Sequence, residues 1–169
     1  MNKPLILFQG PVRSRSGYGD HTRDLIYSLI EMDKYEILVA PTKWGDCPET
    51  GLTATPKNSA IAARILTNNN LQRQPDIFIN CSVPNEWNNI QLIGKFNIGI
   101  TAGIETTICD PSWIEGCNKM DLIIVPSNHS RNVFLNSTYD KIDSNTKQKI
   151  GDLKIEKPVE VLFEGLNTA

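Results

Sequence analysis

The chain has little of several things, and each shortage removes a class of function. Its longest uninterrupted apolar runs do not exceed six residues, far short of a membrane span. It has no excess of charge of either sign. Lys and Arg number 17 against 19 Asp and Glu, so the net charge is −2 and nothing favours nucleic acid or an anionic membrane surface as a partner. The four cysteines, Cys47, Cys81, Cys109 and Cys117, include no C-x-x-C pair. Both histidines, His21 and His129, lie far from them in sequence, so no metal site is expected. The opening MNKPLILFQG has too short an apolar run for a signal peptide and reads as a first strand. The expectation is therefore a cytoplasmic protein with free thiols. The sequons beginning at Asn80, Asn128 and Asn136 are then coincidental.

Nucleotide and hydrolase motifs are missing as well. No G-x-x-x-x-G-K-[ST] run occurs, which excludes a P-loop, and no G-x-S-x-G elbow supplies a nucleophile. The spacing Gly17-x-Gly19-x-x-Thr22 lacks a third glycine. The second apolar run ends VAPTK, without the acid that would hold a ribose, so a nicotinamide cofactor is disfavoured.

What is present alternates. Apolar runs at residues 4–9 (PLILFQ), 35–40 (YEILVA), 77–82 (IFINCS), 96–101 (FNIGIT), 121–125 (DLIIV) and 159–163 (VEVLF) read as strands. Amphipathic patterns at 20–32, 59–67, from Pro111 or Ser112, and at 128–137 read as helices. Residues 68–70 (NNN) end the second helix, and the lysine-rich stretch 138–157 reads as a polar surface excursion or a poorly ordered loop. Short buried strands alternating with helices predict a single Rossmann-like α/β domain over residues 1–169. Its doubly wound, mainly parallel sheet would have about six strands, with helices on both faces.

In such sheets ligands sit beyond the carboxyl ends of the strands. The first loop, GPVRSRSGYGDHTR, carries Gly17 and Gly19 around Tyr18 at a helix start, with Arg13 and Arg15 nearby. Free first-turn amides and the helix dipole suit a phosphate there. In the loop after the third strand, Glu86 beside Trp87 suits a sugar, an acceptor next to an apolar face. Thr101 closes the fourth strand, and Glu105 follows in a loop of small and hydroxylated residues, where a carboxylate would accept from substrate hydroxyls. A solvated loop acid and a packed loop Trp are the structural alternatives for Glu105 and Trp87, and His129 reads as a surface residue.

Three segments together resemble a known family. These are GPVRSRSGYGDHTR, then ITAGIETTICDPSWIEGCNKMDLIIVPSNHSRNVF, then the closing KPVEVLFEGLNTA. Glu105, Pro111, Trp113, Asn118, Asp121, Pro126, Ser127 and Phe134, with the turn Glu164, Gly165, Leu166 and Asn167, follow the order found in the family-four retaining glycosyltransferases of the GT-B fold. The resemblance implies the N-terminal, acceptor-side domain of an enzyme that moves a sugar from a nucleotide-sugar to an acceptor hydroxyl on a saccharide or other molecule. The nucleotide-sugar is a substrate, and no further cofactor is implied. A C-terminal donor domain would be the partner, and the 169-residue chain alone would then have little transferase activity. Gly17, Tyr18 and Gly19 would approach the donor diphosphate, and Glu105 would line the cleft near the reacting sugar as the catalytic residue. Many members place a His near that position, and none lies between residues 101 and 111. The competing reading is a stand-alone, non-catalytic module that binds a sugar or a phosphate.

Overall fold

The computed structural model describes residues 3–67 and 71–165. Leu166 and Asn167 of the closing turn, and the NNN stretch at 68–70, lie outside the described residues. Among the described residues there are eight strands: β1 (Leu5–Gly10), β2 (Glu36–Pro41), β3 (Ile77–Cys81), β4 (Phe96–Ile100), β5 (Leu122–Val125), β6 (Tyr139–Ile142), β7 (Lys149–Leu153) and β8 (Val159–Val161). They alternate with helices α1 (Gly17–Glu31), α2 (Pro56–Ala62), α3 (Pro111–Lys119) and α4 (Asn128–Asn136), and with a 3-10 helix at Pro84–Asn89. Six strands form a parallel sheet in the order β2-β1-β3-β4-β5-β8, a Rossmann-like α/β fold, as the alternating pattern predicts. No helix among the described residues is long and apolar enough to cross a membrane. Contacts cluster into two compact units, one of residues up to Ser82 with Gln91–Ile98, the other of Val83–Ile90 with residues from Gly99 on.

In the first unit β1 is central. Leu5, Ile6, Leu7 and Phe8 are each at most 3 % exposed, because a parallel strand flanked on both edges buries both faces. Leu7 sits in register with Leu38 of β2 on one side and Phe78 of β3 on the other. The chain therefore runs from β1 to one neighbour and then returns to the opposite one, so the strand order reverses between β1 and β3. That reversal is where sheets of this kind leave a crevice at the carboxyl ends.

Helix α1 begins at Gly17, three residues before the Asp20 start that the sequence pattern gives. Ser16 is the reason: its backbone is extended and its hydroxyl accepts from the Gly19 amide at 3.1 Å. Gly17, Tyr18 and Gly19 thus belong to the first helical turn rather than to the loop before it. Helix α2 starts earlier and ends earlier than its 59–67 pattern. Thr55 caps it, and Pro56 fits the first turn, where its missing N–H costs nothing. Ile65 and Leu66 leave the helix because the open edge of β2 takes up their backbone. Val39 donates to the Arg64 carbonyl at 2.9 Å, and Leu66 donates to the Val39 carbonyl at 2.9 Å.

At the amino end of this unit, Asp76 gathers the strands. It accepts from the Leu5 amide at 2.8 Å, Lys95 at 2.7 Å and Arg73 at 3.2 Å. The Lys95 hydrogen bond, then the Leu5 amide, hold its carboxyl down to about 2. An open depression of about 550 Å³ lies nearby, lined by residues including Lys3, Asp33, Glu36 and Arg64. Its charges are spent on each other and on Arg73, as in the pairs Lys3–Asp33 at 2.5 Å and Glu36–Arg73 at 2.9 Å.

In the second unit, the indole of Trp87 on the 3-10 helix is fully buried against Gly99 of β4. Helix α3 comes equally close to that 3-10 helix, since a Cβ on Gly116 would run into the Pro84 carbonyl. Stretch 138–157 is a β-hairpin rather than a featureless excursion: β6 and β7 pair antiparallel. Its turn is closed by Asp143, whose carboxylate accepts from the Asn145 and Thr146 amides at 2.9 and 2.7 Å. Lys149 bridges Asp140 and Asp152. The hairpin's lysines conceal a β pattern in which Tyr139 and Leu153 face one another in register.

Candidate functional site

The junction of β1 and α1 is a loop whose backbone is almost wholly accounted for. Val12 donates to the Gly10 carbonyl at 2.8 Å and Ser14 to that of Pro11 at 2.9 Å. A second loop grips it from outside, with Arg15 donating to the Pro48 carbonyl at 2.9 Å and Gly51 to that of Arg13 at 2.8 Å. The inner clasp is Arg23 of α1, 7 % exposed. Its Nη1 donates to the carbonyls of Val12 at 2.8 Å and Ser14 at 2.9 Å, and its Nη2 pairs with Asp20. Gly51 and Gly19 are small for this packing. A Cβ on Gly51 would lie 2.5 Å from Arg23 Nη1, and one on Gly19 would run into the Ser14 backbone carbonyl.

The fixed loop leaves a definite set of groups outside. Gly17 is exposed, and a Cβ there would meet nothing within 4 Å. It is the first residue of a capped helix, so its amide has no partner in the helical ladder. Tyr18 is half-buried, its ring 4.3 Å from that of Trp44 and tilted by 30°. Arg13 and Arg15 are exposed, and neither forms an ion pair among the described residues. Of the sequence-derived candidates, Arg13, Gly17, Tyr18 and Gly19 thus share one loop–helix junction. Gly19 differs from the other three, because its missing side chain is used by Ser14 and does not open a path for a ligand.

The second unit holds the remaining candidates on two segments. Glu86 is exposed on the 3-10 helix while the neighbouring Trp87 points inward, its ring covered by the interior. Thr101 is 1 % exposed, and its hydroxyl accepts from the Gly103 amide at 3.3 Å. Gly103 has φ +80°, and a Cβ there would lie 2.5 Å from the Ser130 hydroxyl, so the chain leaves β4 through a turn only glycine fits. Glu105 follows in an exposed loop, and its carboxylate has no hydrogen bond or ion pair among the described residues. Order returns at Cys109, whose amide donates to Ser137 at 3.0 Å. Asp110 then caps α3 by accepting from Ser112, which holds its carboxyl below the usual range. His129 is exposed in the first turn of α4.

Among the described residues, no group of three His, Cys, Asp or Glu side chains converges on a possible metal position. Burial pushes the Cys109 and Cys117 thiols upward, away from reactivity. The sequence pattern does not single out Arg23, Trp44, or the polar pair Gln9 and Asn80 on the strands. Arg23 occupies a helical position that looks solvated, and only the packed loop reveals two carbonyls waiting for it. No protein-family model, curated protein or solved structure matches the chain.

Proposed function

We propose that the chain is the acceptor-side domain of a nucleotide-sugar-dependent glycosyltransferase of the GT-B type, working in the cytoplasm with a donor-binding lobe. The observation that carries this reading is the clasped β1–α1 junction. It offers a first-turn amide at Gly17 and the exposed guanidinium of Arg13 at the point where the strand order reverses. Glycosyl transfer needs a group to meet the departing diphosphate and groups to orient an acceptor hydroxyl. The Gly17 amide and Arg13, with Tyr18 beside them, suit the diphosphate. Glu105 and Glu86 suit the hydroxyl and the positive charge that develops on the sugar, whereas Thr101 is buried and holds the turn at Gly103. These contacts are weak in open water and strengthen when a second lobe excludes it, so the isolated chain is expected to bind ligands without transferring sugar efficiently.

One observation favours a second reading, a sugar- or phosphate-binding module without catalysis. Glu105 lies exposed with nothing among the described residues to orient its carboxylate, whereas a catalytic carboxylate is normally held in place. The experiment that tests the proposal is a titration of the isotope-labelled chain with uridine and guanosine diphosphates and their sugar conjugates, read by amide chemical shift. The glycosyltransferase reading expects Gly17 and Tyr18 to respond to the diphosphate. If free sugars or inorganic phosphate bind and no nucleotide does, the module reading stands in its place.

A further inference from the structure

We propose that Gln9 is a specificity residue whose side-chain amide donates to a hydroxyl oxygen of a neutral saccharide at the carboxyl end of β1. The inference rests on the acceptor-side reading given above. Gln9 of β1 and Asn80 of β3 stand in register on adjacent parallel strands. They are linked to Ser82 in one polar chain. The Ser82 hydroxyl donates to Asn80 Oδ1 at 2.7 Å, and Asn80 Nδ2 donates to Gln9 Oε1 at 2.9 Å.

Asn80 and Ser82 are 3 % and 4 % exposed, so these bonds form largely out of water. The direction of donation fixes the last amide in the chain. With its carbonyl engaged by Asn80, Gln9 turns its Nε2 outward. There it meets no acceptor among the described residues, although the side chain is half-buried. Two apolar side chains at these register positions would bury without polar groups to satisfy, as Leu7 and Phe78 do two residues earlier on the same face. The polar chain thus delivers a fixed pair of N–H donors to the reversal of the strand order, where this class of sheet binds ligands.

The chemistry of the partner follows from the charge. Gln9, Asn80 and Ser82 are all neutral and lie on or just after strands rather than at a helix N-terminus. The relay therefore adds no positive charge or helix dipole that would favour a phosphate over a neutral oxygen, and the positive groups of this unit's ligand-facing loop are Arg13 and Arg15. A neutral oxygen able to accept, on a molecule rich in hydroxyls, is the complement. That describes a saccharide.

The test follows the Gln9 side-chain amide resonance in the full chain during titration with neutral sugars (glucose, galactose, mannose, N-acetylglucosamine and their common disaccharides), with uridine and guanosine diphosphates in parallel. At least one saccharide is expected to move that resonance. Gln9→Glu keeps the acceptor for Asn80 but removes the donor, and Gln9→Met removes both without adding charge. Each is expected to weaken that saccharide about tenfold or more. Diphosphate affinity in Gln9→Met should stay within about twofold of the parent. Equal saccharide affinity in parent and both variants would overturn the proposal. So would the absence of any sugar response at Gln9 up to tens of millimolar while diphosphate moves Gly17, and in that case the glycosyltransferase reading survives. If neither class of ligand moves either residue, both fall.

Discussion

The loop after β1 and the loop after β4 each carry candidate residues, one in each unit, and they are built in opposite ways. The first is pinned from within by a buried Arg23 and from outside by the 48–51 segment, with glycines where backbone meets backbone. The second leaves its strand through one obligatory left-handed glycine and then runs exposed from Glu105 to Ile108 before Cys109 is tied down. A loop held this firmly can preset amides and charges for a ligand, at little ordering cost on binding. A loop held so lightly adapts, and its carboxylate acquires a role only when something orders it. Under the proposed function, the β1–α1 junction would be the part suited to a fixed, charged group, and the β4–α3 loop the part suited to one that varies.

The largest break in this contrast should come from Arg23→Met. It strands the Val12 and Ser14 carbonyls inside the protein without a donor, and a loss of about 3 kcal/mol in stability is expected by urea unfolding. Gly19→Ala should cost about 2 kcal/mol, because the new methyl meets the Ser14 carbonyl and backbone must shift to admit it. Two residues earlier, the same change in Gly17→Ala should be neutral or stabilise by up to about 1 kcal/mol, since the methyl enters open space in a helical position. A large loss at Gly17 would mean the junction is not built as described. Limited proteolysis should cut first within residues 103–108 and leave 11–16 intact.

Acid sensitivity separates the carboxyl end of the first unit from its amino end. The Asp76 carboxyl is depressed in the folded protein to about 2 from an ordinary 3.8. Its stabilising contribution is therefore complete above about pH 4 and is lost as pH falls toward 2. Asp76→Asn should flatten that part of the stability–pH curve, whereas Arg23→Met should lower stability without reshaping it. The smallest effect belongs to Glu105→Gln, with a stability change within about 0.5 kcal/mol, as befits an exposed side chain with no partner.

Much of the fold was legible because the six strands of the parallel sheet are short apolar runs set between helical stripes, and burial of both faces leaves that mark. The hairpin of β6 and β7 was not. Its strands are exposed and charged, and their pairing rests on the Asp143 turn and the Lys149 bridges rather than on an apolar face. Ile65 and Leu66 continue a helical stripe in sequence, and only the edge of β2 draws them out of it. At the candidate site, Gly17 and Tyr18 could be found from their glycine-rich helix start. Gly19 could be found too, but its reason was hidden, because the atom that needs the space belongs to Ser14. Trp87 looked like a rim aromatic. Its burial depends on Gly99 of β4, a residue whose smallness has no meaning until the 3-10 helix is laid against it.

The measurement that bears most directly on the central claim is the diphosphate affinity of Gly17→Pro. Proline fits the first position of a capped helix, and Ser16 before it is already extended at φ −151° and ψ 162°, so the fold should be unchanged. The substitution replaces the Gly17 N–H by a ring methylene and leaves the rest of the clasped junction in place. If the first-turn amides hold the diphosphate, affinity for a nucleoside diphosphate falls about fivefold to tenfold with stability intact. Binding as tight as in the parent chain would contradict the assignment of that junction as the anion site.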